Sequence, residues 1–106
     1  MKSDENVQKL EDVRELIDSV DREILMLLKQ RSGLVGLVTE IKKESGIAAL
    51  QPTRFALMVD QLQTIAKDEG LDSELVTEVW DAIHESSKRQ QNLELNKNCS
   101  IIYYII

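Results

Sequence analysis

Aromatic residues make up 4% of this chain, which has one proline, four glycines and one cysteine among its 106 residues. Strand-rich folds lean on aromatics and on turn formers, so the shortage argues against a β-sheet architecture with many turns. The single cysteine, Cys99, excludes an intramolecular disulfide and suits a reducing compartment. Basic residues number 13 against 19 acidic ones, and the net charge of −6 argues against nucleic acid as a partner, because phosphate binding needs a basic face. No apolar run approaches the ~20 residues that span a bilayer. Residues 1–13 are polar and lack the apolar stretch of a signal peptide. These absences lead to the expectation of a cytoplasmic protein with neither a membrane nor a nucleic acid as partner.

What is present suits amphipathic helices: 42% hydrophobic and 30% charged residues in a length that fits one domain. Over residues 17–42 the apolar side chains fall at helical spacing, at Ile17, Val20, Ile24, Leu27, Leu28, Leu34, Val35, Val38 and Ile41. Arg31 and Lys42 sit on the same stripe, eleven residues or about three turns apart, and so lie on nearly one line. A cation on a buried face needs an anionic or polar partner. Nothing acidic lies beside them on the stripe. Either both side chains snorkel out to water, or they face a bound anion, and the second reading gains from what lies downstream.

The first helical pattern runs from near residue 7 to about 45, with Gly46 placed to end it. Its length, on the order of 37 residues or ~55 Å, exceeds what a compact chain of this size can cover, since the radius of gyration would be only ~13 Å. The stripe should therefore pack on a second copy in an intertwined homodimer. Gly33 and Gly36 cost helix propensity, and a close helix–helix approach is the expected return. Residues 47–53 read as a loop, with Pro52 suited to the first turn of a second helix over residues 53–68. Phe55, Leu57, Met58, Leu62, Ile65 and Ala66 supply its apolar face. Gly70 stops it, and Asp72 is placed to cap a third helix. That helix carries Val76, Trp80 and Ile83, and the same stripe continues into Ser87 and Gln91, where polar residues replace apolar ones. The expected architecture is all-α, with three helices per chain, the first of them long. Residues 1–95 form the helical domain. Residues 96–106 form a C-terminal tail of unknown role whose Ile-Ile-Tyr-Tyr-Ile-Ile run is β-prone and an aggregation risk if exposed.

The runs Val13-Arg14-Glu15-Leu16-Ile17-Asp18 and Leu27-Leu28-Lys29-Gln30-Arg31, followed by Lys42, Arg54, Gly70-Leu71-Asp72, Ser87 and Gln91, resemble the all-helical chorismate mutase family. The joint spacing of Arg14, Arg31, Lys42, Arg54, Ser87 and Gln91 carries the resemblance, which covers about residues 10–92. It implies an intertwined dimer of three-helix chains. The implied substrate is a small dicarboxylate, chorismate or a close analogue, which rearranges to prephenate in a concerted step without cofactor, metal or covalent intermediate. Such a reaction needs confinement of a flexible substrate and stabilisation of charge developing on its ether oxygen. By the resemblance, Arg31 and Arg14 grip the carboxylates, Arg14 coming from the other subunit. Their planar guanidinium forks match a carboxylate bidentately. Lys42 and Gln91 donate to the ether oxygen, Ser87 assists at a carboxylate, and Arg54 adds positive potential at the pocket mouth. Read from its own helix alone, Arg14 would instead pair with Glu11 or Asp18. His84, the single histidine, reads as a surface or packing residue.

Two positions depart from the family pattern. Phe55 stands where these enzymes usually carry a Glu that binds the ring hydroxyl of chorismate, and Gln51 stands where they often have Asp. Both belong to the substrate-binding set by position. A buried hydroxyl left without a partner costs ~1–3 kcal/mol. The run Pro52-Thr53-Arg54-Phe55-Ala56-Leu57-Met58 resembles the isochorismate pyruvate lyase branch, whereas Ser87 and Gln91 match the mutase branch. Chorismate mutase is the leading expectation. Isochorismate pyruvate lyase and 4-amino-4-deoxychorismate mutase are the alternatives on the same fold. A non-catalytic helical dimer regulating another shikimate-pathway enzyme is the alternative outside catalysis.

Overall fold

A computed structural model describes residues 2–45 and 52–95 of the protein. The described residues form three α-helices and no strand: α1 Lys2–Ser45, α2 Pro52–Asp68 and α3 Ser73–Leu95. The expected all-α class, the helix count and the long first helix are all met. Gly46, the interhelical loop with Gln51, and the tail with Cys99 lie outside the described residues.

The caps follow from local chemistry. Gly70 has φ +73°, the left-handed conformation that a residue without Cβ adopts without strain. It lets the Leu71 amide donate to the Ala66 carbonyl at 2.8 Å and the Gly70 amide to the Lys67 carbonyl at 3.3 Å, the paired closure of a Schellman motif. Asp72 then opens α3, its Oδ1 accepting from the Glu74 amide at 3.2 Å. At the other end of the chain α1 begins at Lys2, some five residues before the periodic apolar pattern. The pattern marks where burial starts. The backbone turns helical earlier because Asp4 and Glu5 in the first turn complement the helix dipole.

The chain divides into two compact units, Met1–Gly33 and Leu34–Ile106. The first is helix throughout its described length, and every side chain from residue 2 to 30 is exposed, including Val13, Ile17, Val20, Ile24 and Leu27. Its apolar stripe is therefore formed as the periodicity predicts but left uncovered.

The second unit comprises the last turns of α1 with α2 and α3. Gln63 of α2 ties the two shorter helices together, its Nε2 donating to the Ser73 carbonyl at 3.0 Å and to Thr77 Oγ1 at 2.7 Å. Among the described residues the buried apolar side chains are Val35, Ala66 and Val76, and the buried polar ones are Thr39, His84, Ser87 and Gln91. The α2 face expected to be apolar is divided. Ala66 is buried and Phe55, Met58 and Leu62 are half-buried, but Leu57 and Ile65 are exposed. Three small or medium apolar residues make a meagre core, because a domain of this size buries only about 60–65% of its chain surface even when well packed.

Of the two helical glycines, Gly36 is the one near another helix. A Cβ built there lies 3.8 Å from Gln90 Nε2, an ordinary van der Waals distance, whereas a Cβ at Gly33 meets nothing within 4 Å among the described residues. The close approach expected for both is thus seen at neither within one chain. At Gly36 the neighbour is a flexible side-chain end and not a packed backbone.

Candidate active site

The C-terminal half of α3 has a polar buried line. His84, Ser87 and Gln91 follow one another at spacings of three and four, one face of the helix, and their exposures fall from 8% to 4% to 1%. Helix periodicity put Ser87 and Gln91 on this line in the sequence, and the structure adds His84 to it. Gln91 is the extreme case: among the described residues neither Nε2 nor Oε1 of its buried amide has a hydrogen-bond partner. Burying a polar group unpaired costs about 1–3 kcal/mol, so the arrangement is unfavourable unless something else satisfies the amide. A carboxamide, whose nitrogen donates and whose oxygen accepts, held out of water is suited to a polar ligand.

The last turns of α1 run close to this line, as the Gly36 approach to Gln90 indicates. Their inward face carries Val35, Thr39 and Lys42, again at helical spacing. Thr39 is fully buried, and its hydroxyl donates back to the Val35 carbonyl at 3.0 Å, the local bond by which a threonine settles in a helix interior. One turn further, Lys42 is half-buried, and loss of water around its ammonium group pushes its pKa below the ordinary lysine value. The snorkelling reading of Lys42 is therefore incomplete, because part of the charged group's hydration is lost.

On α2, Arg54 is exposed and Phe55 is half-buried. The Phe55 ring stacks on the His84 imidazole, with centroids 3.8 Å apart and planes inclined by 20°. His84 thus takes the packing role that the sequence left open against a surface one. The remaining two cations belong to the first unit, where Arg14 is exposed and Arg31 is half-buried. Among the described residues Arg14 forms no ion pair with Glu11 or Asp18, so the local pairing that its own helix offered is not made. Lys42, Arg54, Phe55, Ser87 and Gln91 lie together in the second unit, and Arg14 and Arg31 do not. Gln51 lies outside the described residues.

Sequence reasoning missed two participants. Thr39 was legible in principle, four residues after Val35 and three before Lys42 on the same stripe. The partnership of Phe55 and His84 had no sequence signal, since the two residues stand 29 positions apart on different helices.

The buried polar line of α3 and the half-buried Lys42 ammonium thus share the second unit. The chain is a member of the type II chorismate mutase family, whose sequence profile matches residues 13–92. Among curated relatives it is similar to a chorismate mutase of Methanocaldococcus jannaschii, 30% identical over 87% of this chain and 95% of the relative. It is also similar to a 4-amino-4-deoxychorismate mutase of Streptomyces venezuelae, 26% identical over 84% of this chain and 86% of the relative. An isochorismate pyruvate lyase of Pseudomonas aeruginosa is 35% identical over 72% of this chain and 74% of its own length. No solved structure gives a significant match to the chain.

Proposed function

We propose that this protein is a chorismate mutase, an isomerase of aromatic amino acid biosynthesis that converts chorismate to prephenate in the cytoplasm without a cofactor. Within one substrate molecule a carbon–oxygen bond of the ether bridge breaks while a carbon–carbon bond forms. No atom is gained or lost and no proton moves, so neither a base nor a nucleophile is called for. The work left to the protein is to hold the compact conformer and to stabilise negative charge gathering on the ether oxygen. Lys42 and the Gln91 amide nitrogen donate to that oxygen. Arg31, with Arg14 of a second copy, binds the two carboxylates, Ser87 assists at one of them, and Arg54 raises the positive potential at the mouth. Gln51 completes the binding set by position.

One observation carries this reading beyond family membership: the amide of Gln91 is 1% exposed and has no partner among the described residues. The bound ether oxygen is the acceptor that its N–H lacks. Incubating the pure protein separately with chorismate, isochorismate and 4-amino-4-deoxychorismate tests the proposal. Prephenate from chorismate is the expected product, and no turnover of any of the three overturns it.

The homodimer is part of the same proposal. The first unit exposes Leu16 to 67% and Leu27 to 63% on a stripe that continues through Ile17, Val20 and Ile24. Contiguous apolar surface on this scale marks an interaction site. A second copy laid along it would bury the stripe and bring the Arg14 of that copy to the site. Sedimentation of a well-folded monomer at micromolar concentration removes both the dimer and the assignment of Arg14.

A second reading rests on Phe55. Its ring faces His84 and offers no acceptor for a ring hydroxyl, which favours a substrate with another substituent or with the hydroxyl elsewhere on the ring. Isochorismate and the 4-amino analogue are the two candidates. Pyruvate released from isochorismate, with no prephenate from chorismate, would decide for the lyase.

A further inference from the structure

We infer that His84 is a positioning residue for substrate selection, acting through the ring of Phe55, so that the stacked pair works as one specificity element. The inference rests on the proposed function, because it names the part of that site that chooses among chorismate-like substrates.

Three observations converge on the pair. The rings belong to different helices yet lie nearly parallel at 3.8 Å, close enough for each to fix the plane of the other. The imidazole is 8% exposed, whereas Phe55 remains half-buried. His84 is thus the covered member, and Phe55 keeps surface with which to meet a ligand. Finally, His84 precedes Ser87 by one helical turn, about 4.5 Å of rise, and Gln91 by two, about 10.5 Å. The stack therefore adjoins the end of the polar line opposite Gln91. A substrate that reaches Gln91 with its ether oxygen and Ser87 with a carboxylate has its ring in the span between them and the stack.

The chemistry follows from the geometry. An unsupported phenylalanine can turn about two side-chain torsions and accommodate substituents of several shapes. A phenyl ring held by an aromatic partner presents one fixed surface, against which a substituent either fits or clashes. Aliphatic side chains at position 84 would fill the space but would not fix the plane.

The test compares His84→Leu, which puts an apolar side chain of similar bulk in place of the flat ring, with His84→Phe, which keeps an aromatic ring. For each variant, kcat/KM is measured on chorismate, isochorismate and 4-amino-4-deoxychorismate, alongside the melting temperature. We expect His84→Leu to change the ratio between the preferred substrate and the next by about 3- to 10-fold, the span that aromatic-pair energies allow. His84→Phe should hold the ratio within about 2-fold of the wild type. Phe55→Leu should shift the ratio in the same direction, and the double variant should shift it no further than either single one, as two parts of one unit require. Equal loss on every substrate, or shifts that add in the double variant, overturns the inference while leaving the proposed function standing. Should His84→Leu fail to fold, His84→Gln carries the same test with a polar side chain that has no ring. A wild-type protein inactive on all three substrates overturns the proposed function itself, and this inference with it.

Discussion

Between residues 2 and 30 every side chain is exposed, apolar ones included, whereas the second unit buries Thr39, Ser87 and Gln91 to 4% exposure or less. The two regions thus invert the usual rule in opposite senses. In the first, hydrophobic residues lie at the surface, and in the second, polar residues are buried. Exposed apolar surface and a buried Gln91 amide without a partner among the described residues both cost free energy in an isolated chain. Uncovered Leu, Ile and Val favour contact with an apolar surface, and the proposed homodimer would supply it with a second copy of the same stripe. The buried Gln91 amide has no partner among the described residues, and the proposed ligand would supply one. Under the proposed function, the Met1–Gly33 unit supplies the dimer stripe with Arg14 and Arg31, and the Leu34–Ile106 unit supplies Lys42, Ser87 and Gln91.

Substitutions that act oppositely on stability and on activity probe this contrast most strongly. Lys42→Ala should lower kcat by ~10²–10³, the range for loss of one donor to a developing oxyanion. Substrate affinity should change less, and loss of affinity alone would reduce Lys42 to an attractor of the dianion. Gln91→Leu should lower kcat on a similar scale while raising the stability of the ligand-free protein by about 1–3 kcal/mol, because it removes a buried amide that has no partner. A fall in ligand-free stability would show that the amide is satisfied within the protein.

Phe55→Glu sharpens the comparison inside the second unit. Restoring an acceptor should raise kcat/KM on chorismate by ~10- to 100-fold, for a hydrogen bond worth ~1.5–3 kcal/mol, without a parallel gain on isochorismate or the amino analogue. The structure also makes the cost visible, since the carboxylate would replace a ring stacked on His84. A lowered melting temperature with no gain on chorismate would decide against a specificity role.

The pH dependence should follow Lys42. Partial burial lowers its pKa from 10.5, and the ammonium form is the donor. Activity should therefore fall on the alkaline side at a pH below 10.5, and Lys42→Ala should abolish that limb along with most of the rate. The sign for stability is the reverse. Folding disfavours the protonated form, so the penalty is fully present below the folded pKa and fades as pH rises from that value to 10.5. An alkaline limb that survives Lys42→Ala would assign it to another group.

The smallest effects belong to the two glycines that straddle the boundary between the units. Gly36→Ala should stabilise by about 0.5–1 kcal/mol, because helix propensity improves and the new Cβ meets only the Gln90 side chain at 3.8 Å. Gly33→Ala should gain a similar amount, since the described residues leave its surroundings open. Thermal melts of the two variants check both, and a loss confined to Gly33→Ala would locate a close approach of the second copy there.

The sequence by itself determined the three helices, their caps at Gly70 and Asp72, the polar continuation of α3 through Ser87 and Gln91, and the family. Each of these rests on short-range relations: the 3.6-residue period, the left-handed freedom of one glycine, and one Asp placed before a helical run. The start of α1 was misjudged because residues 2–6 have no apolar period, although they satisfy the helix dipole. The role proposed for Arg14 comes only through resemblance, because an arginine on an exposed helix face looks like any other. Tertiary structure alone decided that the Gln91 amide lacks a partner among the described residues, that Thr39 is fully buried and that Phe55 lies on His84. Burial and stacking depend on which distant segments meet, and local periodicity orients a side chain without specifying what it will face.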